Sequence, residues 1–96
     1  MRIHLEKNLY IISDGYSMEI YEVTERKNGK GEMQEYKKRL SGYCTDLEHL
    51  FQSYKKNQIL SSEIEGEIED LFKFLKKLDR QIARFAKVAE KAVADD

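Results

Sequence analysis

Short stretches of alternating apolar and polar residues, separated by turn-forming residues, fill the first part of the chain. Residues 9–12 are β-branched and aromatic, and Asp14-Gly15 after them favours a tight hairpin turn, because glycine accepts the positive φ that such turns require. Residues 17–24 and 32–40 alternate in a similar way on either side of a flexible basic turn at residues 27–31. This pattern predicts a three-stranded antiparallel β-meander.

A helix-capping pattern follows the predicted strands. Thr45 precedes Glu48 by three residues, the spacing at which the two residues cap each other at a helix N-terminus. The apolar residues that come next recur on one helical face: Leu47, Leu50, Phe51 and Tyr54. Polar residues at 55–57 end this run. We therefore expect a short amphipathic helix across one face of the sheet, which completes a β-β-β-α unit over residues 1–60.

The most regular pattern in the chain is a run of apolar residues spaced alternately by four and three. Ser61 and Ser62 supply a helix cap before it, and no proline or further glycine follows Gly66, so we expect one long helix that ends near residue 93. Its main apolar positions, which we term the association seam, are Ile64, Ile68, Leu71, Leu75, Leu78, Ile82 and Phe85. Such a heptad repeat is typical of a helix that packs lengthwise against another helix.

The length of this helix turns the seam into a prediction about association. About 30 residues at 1.5 Å each extend roughly 45 Å, which exceeds the roughly 30 Å diameter of a small domain. Leu78, Ile82 and Phe85 are therefore expected to project into water, and soluble monomers rarely expose such a strip. A homodimer supplies the covering helix most economically. The alternative is a monomer whose helix breaks near residues 76–77 or 79–80 and folds back onto the sheet, or whose last helical turns fray.

Charge is segregated along the same helix. Residues 63–70 contain five carboxylates, and residues 73–91 contain seven basic side chains. One explanation is structural, because acidic residues first and basic residues last complement the helix dipole. The other concerns orientation, because two copies packed antiparallel place acidic halves opposite basic halves. Under the second explanation the homodimer is antiparallel.

Size and composition set the class of protein. Ninety-six residues form one ordinary domain, so the first unit and the association helix at residues 61–94 belong to a single domain. A formal net charge of −1 provides no overall attraction for nucleic acid or for an anionic membrane. No apolar stretch approaches the roughly 20 residues that span a bilayer, and charges come too early in the chain for a secretory signal. We expect a cytoplasmic protein.

Residues that support catalysis or metal binding are few. His4 and His49 have no Cys, His or carboxylate at a recognised metal-binding spacing, and Cys44 is the single cysteine. His49 adjoins Glu48, but consecutive helical residues point about 100° apart and form no shared site. No nucleophile with a nearby base emerges. We therefore expect a protein that is not an enzyme and that uses no cofactor and no metal.

Two groups of basic residues define an alternative function, the binding of nucleic acid. One group follows Tyr36 on the third predicted strand, and the other occupies the outer face of the long helix. The candidate contacts, for a partner protein or for nucleic acid, are Tyr36, Lys37, Lys38, Arg39, Lys73, Lys77, Arg80 and Arg84. Basic residues on an edge strand are also a common protection against aggregation. Because Phe74 and Phe85 lie nearer the seam than the basic face, the pattern favours protein binding.

Two segments carry a resemblance to a group of small proteins. Residues 9–23 (LYIISDGYSMEIYEV), the Lys/Gly-rich turn and residues 42–54 (GYCTDLEHLFQSY) resemble uncharacterised small accessory proteins of phages, prophages and integrative elements of Gram-positive bacteria. The resemblance implies an adaptor or inhibitor that acts in a bacterial host cell and binds a host protein, in some cases a defence component. The alanine-rich residues 83–94 depart from that pattern. Together the observations predict an α+β fold and a macromolecular interaction protein.

Overall fold

An antiparallel sheet and two helices make up residues 1–94, the part of the chain that the computed structural model describes. The strands are β1 (Arg2–Glu6), β2 (Leu9–Ser13), β3 (Met18–Lys27) and β4 (Met33–Arg39), and they neighbour one another in chain order. The helices are α1 (Leu47–Ser61) and α2 (Ile68–Ala94). The predicted α+β class is confirmed. The predicted three-stranded sheet is wrong, because the sheet has four strands.

The strand missing from the sequence-based prediction is β1. Ile3 and Leu5 alternate there with polar residues, and both pack into the core. β1 pairs with β2, with Ile3 opposite Ile11, and Lys7 adopts a positive φ of 47° in the short connection. Charged residues obscure the alternation in so short a segment, and no glycine or proline marks the turn after it.

Apolar side chains on one face of the sheet form the core together with both helices. Ile11 in β2 lies opposite Ile20 in β3, and both are completely buried. The helices contribute the large buried residues Leu50, Phe51, Tyr54, Leu78 and Phe85. Just beyond the end of β4, the buried Ser41 hydroxyl accepts a hydrogen bond of 2.9 Å from the Ile20 amide. This bond satisfies a backbone group in the centre of the sheet.

Both predicted hairpin turns are confirmed. The carboxylate of Asp14 accepts hydrogen bonds from two backbone amides at 3.0 Å each, and Gly15 adopts a φ of 97°. In the second turn, the side-chain oxygen of Asn28 accepts hydrogen bonds from the backbone amides of Lys30 and Glu32, at 2.8 and 3.1 Å. These short polar side chains replace backbone partners in the turns, as their positions in the sequence suggested.

The ends of α1 differ from the prediction. Asp46, rather than Thr45, caps the helix, because its carboxylate accepts a hydrogen bond of 2.9 Å from the His49 amide. The helix also continues to Ser61, past the polar residues 55–57 that were expected to end it. The amide of Ser62 donates back to a carbonyl of the last turn, so the two serines end a helix instead of starting one.

α2 begins later than predicted, at Ile68. Gly66, with a φ of 136°, holds the preceding segment outside the helix, and the Asp70 carboxylate accepts a hydrogen bond of 3.0 Å from the Glu67 amide at the helix start. From Ile68 the helix is continuous to Ala94, so the alternative of a break near residues 76–77 or 79–80 is wrong. Its 27 residues extend about 40 Å.

The middle and C-terminal turns of α2 lie against the body of the protein. The ring of Phe85 lies 5.4 Å from that of Tyr54 and 6.3 Å from that of Phe51, centroid to centroid. The side-chain amide of Gln81 accepts a hydrogen bond of 3.0 Å from the Tyr54 hydroxyl and donates one of 3.0 Å to the Glu6 carboxylate. One side chain thus connects α1, α2 and β1.

This arrangement corrects the expectation that the later seam residues project into water. Leu78 is 4% exposed and Phe85 is completely buried, while Ile82 is half-buried. Because α1 and the sheet cover this part of α2, its apolar stripe belongs to the protein's own core. The part of α2 that extends past the body is its N-terminal end.

Candidate interaction surfaces

One end of the molecule carries a group of exposed apolar side chains. We term this group the apolar tip, and its members are Leu60, Ile64, Ile68, Leu71 and Phe72. Leu60, Ile68 and Phe72 are the most exposed, at 72%, 65% and 53%. The tip combines the last turn of α1, the connecting segment and the first turns of α2.

The position at which α1 ends explains why these side chains are exposed. Ile59 near the end of α1 and Phe74 in α2 are the outermost residues of the two helices that still pack against the core. α1 stops at Ser61, so no neighbouring element covers the α2 turns that precede Phe74. α2 contacts the sheet through β1, and its buried residues Leu78, Phe85 and Ala89 all come from later turns.

Carboxylates are interspersed with the tip residues along residues 63–70. All are exposed, and we term them the acidic collar: Glu63, Glu65, Glu67, Glu69 and Asp70. No lysine or arginine occurs between residues 57 and 72, so no nearby residue of the same segment neutralises the collar. The tip is therefore both apolar and negatively charged.

The predicted association seam is divided by the fold. Ile64, Ile68 and Leu71 are exposed and belong to the apolar tip, and Ile64 precedes the start of α2 instead of lying in the helix as predicted. Leu75 and Ile82 are half-buried. Leu78 and Phe85 are buried against the protein's own sheet and α1. A heptad repeat marks the apolar side of a helix but does not show which part of that side the rest of the chain covers, so the sequence did not distinguish these groups.

The opposite side of α2 carries a continuous basic surface. Its residues are all exposed, and we term it the basic ridge: Lys73, Lys76, Lys77, Arg80, Arg84, Lys87 and Lys91. At about 100° per residue, all seven fall within one sector of roughly 100° on the helix. The candidate contacts Lys73, Lys77, Arg80 and Arg84 are thus brought together on one surface.

The ion pair of Arg84 ties the ridge to β1. Its guanidinium donates to the Glu6 carboxylate at 3.1 and 3.4 Å. The same hydrogen bond is the main cause that lowers the pKa of Glu6 below its ordinary value. Arg84 therefore has a structural role, whatever else the ridge contacts.

The basic residues of β4 form a separate group. Every residue of β4 is exposed, and the strand lies at the opposite edge of the sheet from β1, which α2 contacts. Lys37 and Lys38 are consecutive in a strand and so point to opposite faces. Arg39 lies 3.5 Å from the Glu19 carboxylate and 5.0 Å from the Tyr43 ring centre. Tyr36 is exposed beneath the guanidinium of Arg26. These four candidates share a strand but not a face.

The histidines and the cysteine lie in unrelated places. His4 is hydrogen-bonded to the Lys7 carbonyl at 2.7 Å, and the half-buried Cys44 thiol lies 3.6 Å from the Gly42 carbonyl. The His49 ring contacts the Asp46 carboxylate at 2.6 Å, which raises the pKa of His49. Across residues 1–94, no three side chains of the metal-binding types come together. No helix in this part of the chain is long and apolar enough to cross a bilayer.

Comparisons of the chain with protein-family models, with curated proteins and with solved structures find no match. The apolar tip, the basic ridge and the exposed β4 are the features of the molecule that indicate a function. The resemblance to accessory proteins of phages and integrative elements stays a prediction.

Proposed function

We propose that this is a non-catalytic interaction protein that binds another protein through its apolar tip. The observation that carries the proposal is the exposure of five large apolar side chains at one end of α1 and α2. Contiguous apolar patches on a soluble domain commonly mark sites of protein contact. An adaptor or an inhibitor needs no more than such a surface.

The tip is not needed to complete the core. The core is closed by Leu50, Phe51, Leu78 and Phe85, and among the described residues no buried side-chain polar atom lacks a hydrogen bond. Covering a tip residue such as Leu60 or Phe72 contributes about 1–2 kcal/mol, in proportion to its exposed fraction. Several such contributions together stabilise a complex of moderate affinity after the cost of association.

Charge indicates the kind of partner. Two copies that met tip to tip would bring two acidic collars together, and this repulsion opposes symmetric self-association. A partner whose surface combines apolar and basic residues complements both properties of the tip. The resemblance to mobile-element proteins adds a bacterial host protein, including a defence component, as the class of partner.

The antiparallel homodimer stays a prediction, but fewer seam residues are accessible to a second copy than the sequence suggested. A second copy could cover the exposed seam residues Ile64, Ile68 and Leu71, together with the remaining exposed parts of the half-buried Leu75 and Ile82. Light scattering at several concentrations distinguishes a homodimer from a monomer that awaits a different partner. A dimeric mass that returns to monomer in an Ile68→Ser/Phe72→Ser variant would assign the tip to self-association.

Site-specific crosslinking tests the tip directly. A photoreactive residue at position 72 is expected to capture a protein from a bacterial lysate, and the same residue at position 16 serves as the control because Tyr16 is 92% exposed but lies in a hairpin turn. Capture at position 72 that is lost in the Ile68→Ser/Leu60→Ser background supports the proposal. Equal capture from both positions, or capture that survives these substitutions, contradicts it.

A further inference from the structure

We propose that the basic ridge is a second binding surface, independent of the apolar tip, that contacts the phosphate backbone of double-stranded nucleic acid. The ridge faces away from the core and runs along one side of α2 from Lys73 to Lys91. These residues span about 27 Å at the helical rise of 1.5 Å per residue. Ala83, a small exposed side chain about 20° outside this sector, leaves room for close approach beside the ridge.

The ridge keeps its charge because few carboxylates oppose it. Residues 73–91 contain seven basic side chains and two acidic ones, Asp79 and Glu90. Asp79 is engaged by Lys55 of α1 at 2.7 Å, on another side of the helix. Within residues 1–92, Arg84 is in an ion pair, whereas the ridge residues Lys73, Lys76, Lys77, Arg80 and Lys87 have no carboxylate within 4 Å.

The side chains on the ridge favour duplex over single-stranded nucleic acid. Proteins that hold single strands stack bases on exposed aromatic rings. Along the ridge, Phe74 is half-buried and Phe85 is completely buried, and the one exposed ring, Phe72, precedes Lys73 and lies outside the sector that the ridge occupies. A row of lysine and arginine without aromatic residues matches the charge of a duplex backbone, which carries one negative charge per roughly 1.7 Å. Binding of this kind does not depend on base sequence.

An anionic membrane fits the ridge less well. A helix that lies in a membrane surface buries its apolar side among the lipid chains. In α2 that side is already occupied, because Leu78, Phe85 and Ala89 are buried in the protein's own core. The ridge therefore presents positive charge, but α2 has no free apolar side that could insert into a membrane. Positive charge alone is sufficient for contact with the phosphates of a rigid duplex.

The size of the ridge sets the expected salt dependence. If about four cations contact phosphates, the affinity should fall on the order of 10²-fold between 50 and 200 mM salt. The test is fluorescence anisotropy of a labelled DNA duplex of about 20 base pairs, which is longer than the ridge at roughly 3.4 Å per base pair. Unlabelled RNA duplex and single-stranded DNA serve as competitors.

Matched charge reversals identify the surface. Arg80→Glu/Lys87→Glu changes two exposed ridge residues and is expected to weaken duplex binding at least about tenfold and to flatten the salt dependence. Lys37→Glu/Lys38→Glu produces the same change of net charge on β4 and is expected to leave binding within about twofold. The tip variant Ile68→Ser/Phe72→Ser should bind the duplex like the wild type, which separates this surface from the proposed protein-binding site. Circular dichroism verifies that each variant is folded.

Several outcomes would overturn the inference. Absence of duplex binding at low salt would do so, as would equal weakening by the ridge and β4 variants, which indicates only a general effect of charge. Stronger weakening by the β4 variant would move the site to that strand. Binding to vesicles of phosphatidylserine and phosphatidylcholine in equal amounts, without binding to the duplex, would assign the ridge to membranes. Preferred competition by single-stranded DNA would contradict the choice of a duplex.

Discussion

Replacing Phe85 with alanine tests whether the later half of α2 belongs to the protein's own core. The side chain is completely buried and touches both aromatic residues of α1, Phe51 and Tyr54. A Phe→Ala change at such a site costs about 3–5 kcal/mol, through lost burial and the cavity that remains. A domain of this size is stable by about 5–14 kcal/mol in total, so the variant should lose a large share of its stability.

The assay is urea and thermal denaturation followed by circular dichroism. A loss of 3 kcal/mol lowers the urea midpoint by at least about 1 M. The same loss lowers the melting temperature by at least about 12 °C. Phe72→Ala is the matched control, because it makes the same change in the same helix at a residue that is 53% exposed. We expect the control to change stability by less than about 0.5 kcal/mol when the protein is alone.

A different pattern of results would refute this reasoning. If Phe85→Ala and Phe72→Ala cost the same small amount, Phe85 would not be part of the core. If Phe85→Ala instead reduced a dimeric mass without lowering monomer stability, the residue would face a second copy, as the seam predicted from the sequence. Measuring mass and stability on the same samples separates these cases.

Three further predictions concern single polar side chains. Ser41→Ala should lower the free energy of unfolding by about 1–3 kcal/mol in urea denaturation, because it leaves a buried amide of β3 without its acceptor; no measurable loss would show that another group replaces it. Glu6→Gln should cost about 1 kcal/mol at neutral pH, because it weakens the contact with Arg84. Since that contact lowers the pKa of Glu6 below 4.5, the wild-type advantage should be complete above pH 4.5 and should disappear as the pH falls through the lowered pKa; an advantage that persists in strong acid would contradict this. The pKa of His49, measured by NMR titration, should lie above 6.5 and should return towards 6.5 in Asp46→Asn, a variant that preserves the helix cap. The stabilisation from the His49–Asp46 contact should be complete below pH 6.5 and should be lost as the pH rises through the raised pKa. An unchanged titration in the variant would exclude Asp46 as the cause.

Local signals in the sequence were sufficient for much of the fold. The Asp14-Gly15 and Asn28–Gly31 turns rest on residues that form their own hydrogen bonds, so neighbouring elements hardly influence them. The apolar spacing of α2 likewise shows that it is a helix. β1 escaped detection because its alternation extends over only five residues and because Lys7 and Asn8 make a turn without glycine.

The interaction surfaces depended on tertiary structure to a greater degree. Whether a seam residue such as Leu71 or Leu78 is exposed depends on where α1 ends beside α2, and no spacing within α2 records this. The position of the break between the helices was also misjudged, because Ser61 and Ser62 have the composition of a cap at either end of a helix. The basic face of α2 was visible in the sequence, since its helical spacing requires only a straight helix.

The uninterrupted backbone of α2 has a mechanical consequence. The proposed protein-binding and phosphate-binding surfaces lie on the same helix, which is continuous from Ile68 to Ala94. Hydrogen bonds from Gln81 and Arg84 to Glu6 fix this helix to β1. Along α2, the distance from Phe72 to Lys87 is about 22 Å at 1.5 Å per residue. A protein bound at the apolar tip and a nucleic acid bound at the basic ridge would therefore keep a constant distance and angle, because a continuous helix connects the two surfaces.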